Sequence, residues 1–267
     1  MTASGSAGAI RAGIGGWDFD PWRACFYPPG LAKAKQLEHA SRRVTAIEIN
    51  ATYYKLQKPE LFARWRDSTP DGFRFALKGS RFCSNRKLLA GAGEAVERFF
   101  AQGLAELGDK LGPILWQFMT TKKFEADDFR AFLALLPRKA AGIPVSHVVE
   151  PRHESFRDPA FVAMAREAGV GIVFADSDDH PCFADLSGPI AYARLQRCRA
   201  EEPAGYAPAE LDRWAEIARA WSRGETPEGL PTVAETAAPG PRDVYMFMIA
   251  GAKERAPAAA MALLERL

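Results

Sequence analysis

The residues best placed to do chemistry lie in segment 147–156, where an apolar run ends in Glu150 and a proline then leads to Arg152 and His153. This pattern is typical of a buried strand that passes into a loop. Polar side chains at the carboxyl end of a parallel strand face the crevice where ligands bind, so charge is tolerated there. We therefore interpret this segment as one wall of a ligand site. The alternative is that Glu150 and Arg152 pair with each other and only close the end of the sheet.

Two carboxylates and one imidazole are the candidates for acid–base catalysis. Glu48 lies near the end of a second short apolar run, much as Glu150 ends the first. Carboxylates in different surroundings can be tuned to different pKa values, so Glu48 and Glu150 can serve as general acid and base, with His153 as a proton shuttle. The alternatives are that Lys or Arg partners hold the two acids and that His153 is a hydrogen-bonded structural residue.

Basic and aromatic residues indicate what such a site would bind. Lys78, Arg152 and Arg194 outnumber the two acids, which favours a phosphate or carboxylate ligand, unless these cations only neutralise the acids. Trp17 can stack on a base or a sugar, although such a residue more often covers a core. The ligand-binding residues that we predict are Trp17, Asn50, Tyr54, Lys78, Gln117, Arg152 and Arg194.

Along the chain, segments with the two-residue hydrophobic period of a strand alternate with segments that have the 3.6-residue period of a helix. Eight parallel strands that alternate with helices close into a (β/α)8 barrel of about 250 residues, so we predict an α/β fold, a single TIM-like barrel that is not necessarily regular. The alternative is an open doubly wound sheet, but no G-x-G-x-x-G follows the first strand. The predicted strands are 10–16, 45–50, 73–78, 113–118, 147–150, 171–174, 192–196 and 244–249, and the predicted helices are 31–43, 59–67, 91–107, 126–136, 159–168, 208–223 and 257–267.

In such a barrel, inward side chains at the carboxyl ends of the strands form one common ring. The whole chain, 1–267, fits one domain, with a frayed tail at 1–8 and a surface excursion at 226–241 that is rich in Pro, Gly and Thr. The ring predicted for this chain comprises Glu48, Asn50, Lys78, Gln117, Glu150 and Arg194.

Composition limits the function classes. The formal net charge of +2 is too small for an obligatory nucleic-acid binder. No apolar run reaches the roughly 20 residues that a membrane helix needs. The four cysteines show no C-x-x-C spacing, which argues against a structural zinc site and a disulfide framework and favours a reducing cytoplasm.

Seven motifs occur in order along nearly the whole chain, and their order is more specific than any one of them. They are Gly16-Trp17, Trp22 with Phe26-Tyr27-Pro28, the run 48–54, the run 73–78, the run 110–117, Glu150-Pro-Arg-His153 and Tyr192-Ala-Arg194. Taken together, these motifs resemble those of the YecE-like family, catalogued as domain of unknown function 72. The resemblance implies a TIM-barrel-like fold in a bacterial cytoplasmic protein whose activity is not established.

The chain departs from the resembled motifs at three places. Asn85, preceded by Ser84, stands where the family commonly has a histidine, Gln196-Arg197 stands where it has His-Gly, and an asparagine at the last strand is missing. Members of the family have been likened to barrel nucleases that hold several metals. With four histidines, this chain is poorly equipped for such a cluster, so we expect no bound metal.

Three hypotheses for function remain. The first is a protein that binds, or acts on, a small anionic or phosphorylated compound by acid–base chemistry without a fixed cofactor. The second is a nucleic-acid-binding or nuclease-like barrel, which rests on loop aromatics beside basic residues and on analogy. The third is a non-catalytic binding or partner protein. The sequence predicts neither the substrate nor the oligomeric state.

Overall fold

Eight parallel strands form a closed barrel in a computed structural model of the chain, which describes residues 7–267. The barrel strands are β1 Ile10–Gly15, β2 Ala46–Ile49, β3 Arg74–Lys78, β4 Leu111–Gln117, β7 His147–Glu150, β8 Gly171–Asp176, β9 Ile190–Leu195 and β10 Asp243–Met248, and a small hairpin adds β5 Lys139–Ala140 and β6 Ile143–Pro144. Going round the barrel, the strand order is β1-β10-β9-β8-β7-β4-β3-β2. The prediction of an α/β barrel is therefore confirmed.

Helices connect most of the strands, and two of the predicted ones are wrong in extent. The predicted helix 31–43 is only a 3-10 turn, Lys33–Lys35, followed by five α-helical residues. The predicted helix 91–107 ends early because Gly103 adopts a left-handed φ of 93°, after which the 3-10 segment Leu104–Lys110 begins. The α-helices are α1 Gln36–Ala40, α2 Ala51–Tyr54, α3 Pro59–Asp67, α4 Arg81–Ser84, α5 Gly93–Ala101, α6 Ala126–Ala134, α7 Pro159–Ala168, α8 Pro208–Arg223 and α9 Ala256–Leu264.

Alternation along each strand separates two apolar layers. In β4, Leu115 points into the barrel, whereas its neighbour Trp116 points outward against Phe132 of α6. Small residues at inward positions, such as Ala46 and Ala76, let the barrel close tightly. Polar side chains are thereby confined to the ends of the strands, where the apolar inner layer stops. The inner layer comprises Ala46, Ala76, Leu115, Val148, Val173, Ile190, Tyr192, Tyr245 and Phe247.

The irregular segments lie against the barrel. Most of the predicted tail 1–8 lies outside the described residues, and at its end the Gly8 amide donates to the Ser222 carbonyl at 2.9 Å. In the excursion 226–241, the carboxylate of Asp185 accepts hydrogen bonds from the amides of Val233 and Ala234. Within residues 7–267, no helix has the length and apolar character needed to cross a membrane.

Gly79 directly follows β3, and its environment gives a test of the packing. A Cβ at this position would lie 2.3 Å from Cε3 of Trp116. We expect Gly79→Ala to lower the free energy of unfolding by about 2–3 kcal/mol, because the outer layer cannot move away cheaply. Gly240→Ala, where an added Cβ has nothing within 4 Å, is the control and should change it by less than about 0.5 kcal/mol. Equal losses in urea unfolding would contradict this account.

Candidate functional site

One arginine joins two buried carboxylates at the carboxyl end of the barrel. Arg194, from β9, donates from Nε and Nη2 to the two carboxylate oxygens of Glu48 at 3.1 Å each. Its Nη1 donates to Oε2 of Glu150 at 2.8 Å. Glu48 and Glu150 are 0% exposed and Arg194 is 3% exposed. The fork of the guanidinium group suits this geometry, because its donors lie in one plane and reach both acids at once.

Each carboxylate has further donors of its own. The hydroxyl of Tyr192 donates to Oε2 of Glu48 at 2.7 Å. Gln117 pairs with Glu150 in the β4–β7 register, and its Nε2 lies 3.0 Å from both carboxylate oxygens. Arg152 donates from Nε to Oε1 of Glu150 at 2.6 Å. Glu150 and Arg152 thus pair with each other, as the alternative interpretation of this segment supposed. Both acids are fully satisfied, as buried charges must be.

The surrounding charges fix the protonation of this cluster. Burial alone would raise the pKa of Glu150, but the guanidinium groups of Arg194 and Arg152 hold it at about 2. Burial and the neighbouring Glu48 raise the pKa of Tyr192 well above its usual value. At neutral pH Glu150 is thus ionised and does not carry a proton to donate. This arrangement favours an anchoring role for Glu150 over that of a general acid.

Lys78 differs from the other charged groups of the ring. It is 8% exposed, and its Nζ lies 4.2 Å from the centre of the Tyr53 ring. Among the described residues, no side chain or carbonyl forms a hydrogen bond or ion pair with this Nζ. Burial and the charge of Arg194 lower the pKa of Lys78 to about 8, although Glu48 and Glu150 act in the opposite direction. Lys78 is therefore a buried amine without an ionic partner of its own.

Tyr53 was not among the predicted site residues, although it lies in the motif 48–54. Its hydroxyl accepts a hydrogen bond from Nδ2 of Asn85 at 2.9 Å. Asn85 occupies the position at which the resembled family commonly has a histidine. The side chain at this position therefore acts on Lys78 indirectly, by orienting the ring beneath the amine.

Three more polar residues that the sequence did not place in the site lie around this end of the barrel. Lys253 has its Nζ 4.7 Å from the centre of the Phe19 ring, and the charge of Glu48 opposes the burial that lowers its pKa. Burial and the charge of Arg152 lower the pKa of His180, in the loop after β8. Within the described chain, Nδ1 of His180 and Nε2 of Gln196 are buried without a hydrogen-bond partner. The sequence marks Gln196 as a departure from the resembled motifs and Lys253 as a cation near the start of the last helix, whereas the only signal for His180 is its position after a strand.

The predicted catalytic residue His153 is not bonded into the cluster. Its Nδ1 accepts a hydrogen bond from the Ser155 amide at 3.1 Å and lies 2.9 Å from the Ser155 hydroxyl. These contacts cap the 3-10 turn Glu154–Phe156. The geometry thus gives His153 the structural role that was considered as an alternative to proton transfer.

The other predicted ligand-binding residues have different positions. Trp17 packs edge-on against Trp65, with ring centres 5.4 Å apart, and so covers part of the outer layer. Tyr54 is 61% exposed, at the end of α2, the short helix that follows β2. Asn50 is half-buried at the end of the same strand as Glu48, beside Gly15. Six of the predicted site residues therefore lie together at the carboxyl end of the barrel and form the ring. They are Glu48, Lys78, Gln117, Glu150, Arg152 and Arg194.

A cleft of about 600 Å³ lies at the opposite end of the barrel from the ring. It is lined in part by His147, Val170 and Pro189, near the amino ends of β7, β8 and β9. His147 is engaged structurally there, since Trp116 Nε1 donates to its Nδ1 at 3.1 Å. Residues at that end of such a barrel serve stability, so the ring is the better candidate site. The described residues hold no group of three or more His, Cys, Asp or Glu side chains arranged to bind a metal ion.

Comparison with known proteins identifies the family. The model of the family described as "Protein of unknown function DUF72" matches residues 11–267. The chain belongs to the DUF72 family. It is 32% identical over 123 residues to UPF0759 protein YecE of Escherichia coli K12, covering 45% of this chain and 42% of that protein. It is 25% identical over 158 residues to UPF0759 protein YunF of Bacillus subtilis, covering 57% of this chain and 54% of that protein. The chain thus spans about half the length of these curated relatives.

Solved structures share the DUF72 fold. A DUF72 family protein from Thermotoga maritima has a TM-score of 0.72 at 22% identity, covering 96% of this chain and 97% of that one. One from Enterococcus faecalis has a TM-score of 0.68 at 17% identity, covering 97% and 98%. SacUVDE has a TM-score of 0.51 at 11% identity, covering 98% and 100%. At these identities the likeness shows the barrel alone.

Arg194 pairs with two buried carboxylates and Arg152 with only one, so removing each arginine should lower the stability by a different amount. Arg194→Met should lower the free energy of unfolding by about 3–5 kcal/mol, because it leaves two buried carboxylates without their shared cation. Arg152→Ala should cost only about 1 kcal/mol, because Glu150 keeps Arg194 and Gln117 and the Arg152 side chain is 22% exposed. Urea unfolding of both variants measures the difference, and losses of equal size would contradict this expectation.

The isolation of Lys78 predicts the opposite effect. Because the Lys78 side chain is largely buried and its ammonium group has no ionic partner among the described residues, Lys78→Met should raise the free energy of unfolding at pH 7 by about 1–3 kcal/mol. The folded-state pKa of about 8 lies below the ordinary value of 10.5, so the folded protein binds fewer protons between these values and its stability rises with pH there. The advantage of Lys78→Met should therefore shrink as the pH rises from about 8 to 10.

Lys110→Met is the matched control for this experiment. Lys110 is 6% exposed, but its Nζ donates to the carbonyls of Arg66 and Thr69 at 2.7 and 2.6 Å. This substitution should lower the free energy of unfolding, because it leaves buried carbonyls without a donor. If Lys78→Met also lowered it at pH 7, Lys78 would have a structural role and the account above would be wrong.

Proposed function

We propose that the carboxyl end of the DUF72 barrel binds a small anionic metabolite through a carboxylate or phosphate group. The observation that carries this proposal is the unbalanced charge of Lys78. The two buried acids, Glu48 and Glu150, are already matched by the guanidinium groups of Arg194 and Arg152. Lys78 is then a positive charge in excess, and an anion is the ligand that would balance it.

Other donors around the ring support the same ligand class. Arg152 uses Nε and Nη2 on Glu150, and its half-buried guanidinium group retains further N–H donors. The charge of Arg152 also lowers the pKa of Lys78, so the two cations are close enough to interact electrostatically. Lys253 adds a third positive charge on the side of Glu48. Two or three cations around one position suit a phosphate or carboxylate group.

The proposal includes a compartment as well. Cys25, Cys83, Cys182 and Cys198 are all free thiols. Thiols persist in a reducing environment, so the proposed site would act in the bacterial cytoplasm. Anionic metabolites are retained there.

A second candidate function rests on an exposed surface beside the ring. Tyr54 and Phe82 are 61% and 60% exposed, and both line a cleft of about 230 Å³ together with Lys55 and Arg86. Arg81 lies with Cζ 5.3 Å from the centre of the Phe82 ring. Exposed aromatic rings next to basic side chains suit the bases and phosphates of a single-stranded nucleic acid. This surface favours the nucleic-acid alternative over a partner protein.

Ligand-dependent stability tests the first proposal. Inorganic phosphate and glycerol 3-phosphate should raise the free energy of unfolding, by about 2.7 kcal/mol when the ligand is at 100 times its dissociation constant. Arg152→Lys should weaken binding by about 1–3 kcal/mol, because lysine does not reproduce the guanidinium fork. Arg157→Lys is the control, since Arg157 pairs with the exposed Glu154 and lies over the Phe183 ring, and neither contact belongs to the ring of Glu48 and Glu150.

The same series separates the two candidate functions. Stabilisation by neither anion, or equal affinity in Arg152→Lys and the native chain, would overturn the first proposal. Binding of single-stranded DNA that falls steeply with salt and is lost in a Tyr54→Ala, Phe82→Ala double variant would support the second.

A further inference from the structure

We propose that Lys78 is a nucleophile that forms an imine with the carbonyl group of a small anionic aldehyde or ketone. The proposal rests on the proposed function, because the anionic group is what brings the carbonyl to this amine. Its basis is the position of Nζ, which lies over the Tyr53 ring at the mouth of the barrel, without a hydrogen bond to any other residue of the described chain.

Two other buried lysines of the chain show what a structural lysine looks like. Lys110 is 6% exposed and donates to two backbone carbonyls. Lys122 is 6% exposed, pairs with Asp128 at 2.5 Å and donates to the Lys87 carbonyl at 2.8 Å. Lys78 is buried to almost the same extent, at 8%. Its Nζ is nevertheless available, and availability is the property that a nucleophile needs.

The surroundings of Lys78 also favour the reactive form of an amine. Only the neutral amine has a lone pair that can attack a carbonyl carbon. Burial and the charge of Arg194 lower the pKa of Lys78 to about 8. A substantial fraction of Lys78 is therefore neutral at physiological pH, whereas an exposed lysine is almost wholly protonated.

The proposed step is balanced without any further reactant. The nitrogen lone pair forms a bond to the carbonyl carbon, and a proton moves from nitrogen to oxygen to give a carbinolamine. The ammonium group releases one proton to the solvent when it becomes the neutral amine, and the hydroxyl oxygen takes up one proton from the solvent and leaves as water. The remaining lone pair on nitrogen then forms the second bond to carbon, which gives the protonated imine. The protonated imine carries the same single positive charge as the ammonium group that it replaces.

The ring is suited to hold this protonated imine. The carboxylates of Glu48 and Glu150 both favour positive charge at the Lys78 nitrogen. The face of the Tyr53 ring does the same through its quadrupole. The guanidinium group of Arg152, with N–H donors that Glu150 does not use, would hold the anionic end of the ligand. The chemical class that fits is thus an aldehyde or ketone that carries a nearby carboxylate or phosphate.

Reductive trapping tests the proposal on the native chain. Glyoxylate supplies an aldehyde next to a carboxylate, and glycolaldehyde is a neutral compound of similar size. With cyanoborohydride present, glyoxylate should label Lys78 at least about tenfold faster than the exposed Lys139 or the paired Lys110. Peptide mass spectrometry locates and quantifies the adducts. Lys78→Arg forms no imine, so it should lose this adduct. Arg157→Lys, at a residue outside the ring, should keep both the adduct and the stabilisation by inorganic phosphate.

The two proposals fail in different ways. Labelling of Lys78 no faster than that of Lys110, while phosphate still stabilises the protein, would overturn imine formation and leave anion binding in place. Fast labelling by glyoxylate and glycolaldehyde alike, unchanged in Arg152→Lys and with no effect of phosphate, would overturn the anionic substrate class and the proposed function. Preferential labelling by glyoxylate that falls in Arg152→Lys would support both.

Discussion

The buried network around Arg194 is the constraint on which the carboxyl end of the barrel depends. Two carboxylates lie there at 0% exposure, and stripping them of water would be prohibitive without charged partners. Arg194 is the charged partner of both acids at once, and it thereby joins β9 to β2 and β7 across the barrel. Tyr192 and Gln117 complete the hydrogen bonds, so none of the carboxylate oxygens lacks a donor. The site is therefore rigid before any ligand arrives.

The same network explains why Lys78 stands apart. Because the acids are satisfied by guanidinium groups, neither carboxylate is free to form a close ion pair with the amine. The amine is left with the face of Tyr53, which offsets only part of the cost of burial. A residue that costs stability at this position is more easily understood as part of a site than as part of the scaffold.

How much the sequence could predict differs between the backbone and the network. Eight strands that alternate with helices identified the barrel, and polar residues at the ends of apolar strands put Gln117, Glu150 and Arg194 at one end of it. The pairing within that end was not predictable, because Arg194 meets Glu48 across the barrel and not along one strand or between neighbours. Helix extents were wrong where one residue decides the backbone, as at Gly103 with its φ of 93°.

Two of the three positions at which the chain departs from the resembled motifs, Asn85 and Gln196, lie around the ring and not within it. Asn85 contacts Tyr53, and Gln196 follows Arg194 by two residues with its amide nitrogen unpaired among the described residues. Neither makes a hydrogen bond to Glu48 or Glu150. The charged anchor can therefore persist while the surrounding polar groups change. In physical terms, the anchor sets the shape and charge of this end of the barrel, and the selectivity of the proposed site would depend on the residues around it.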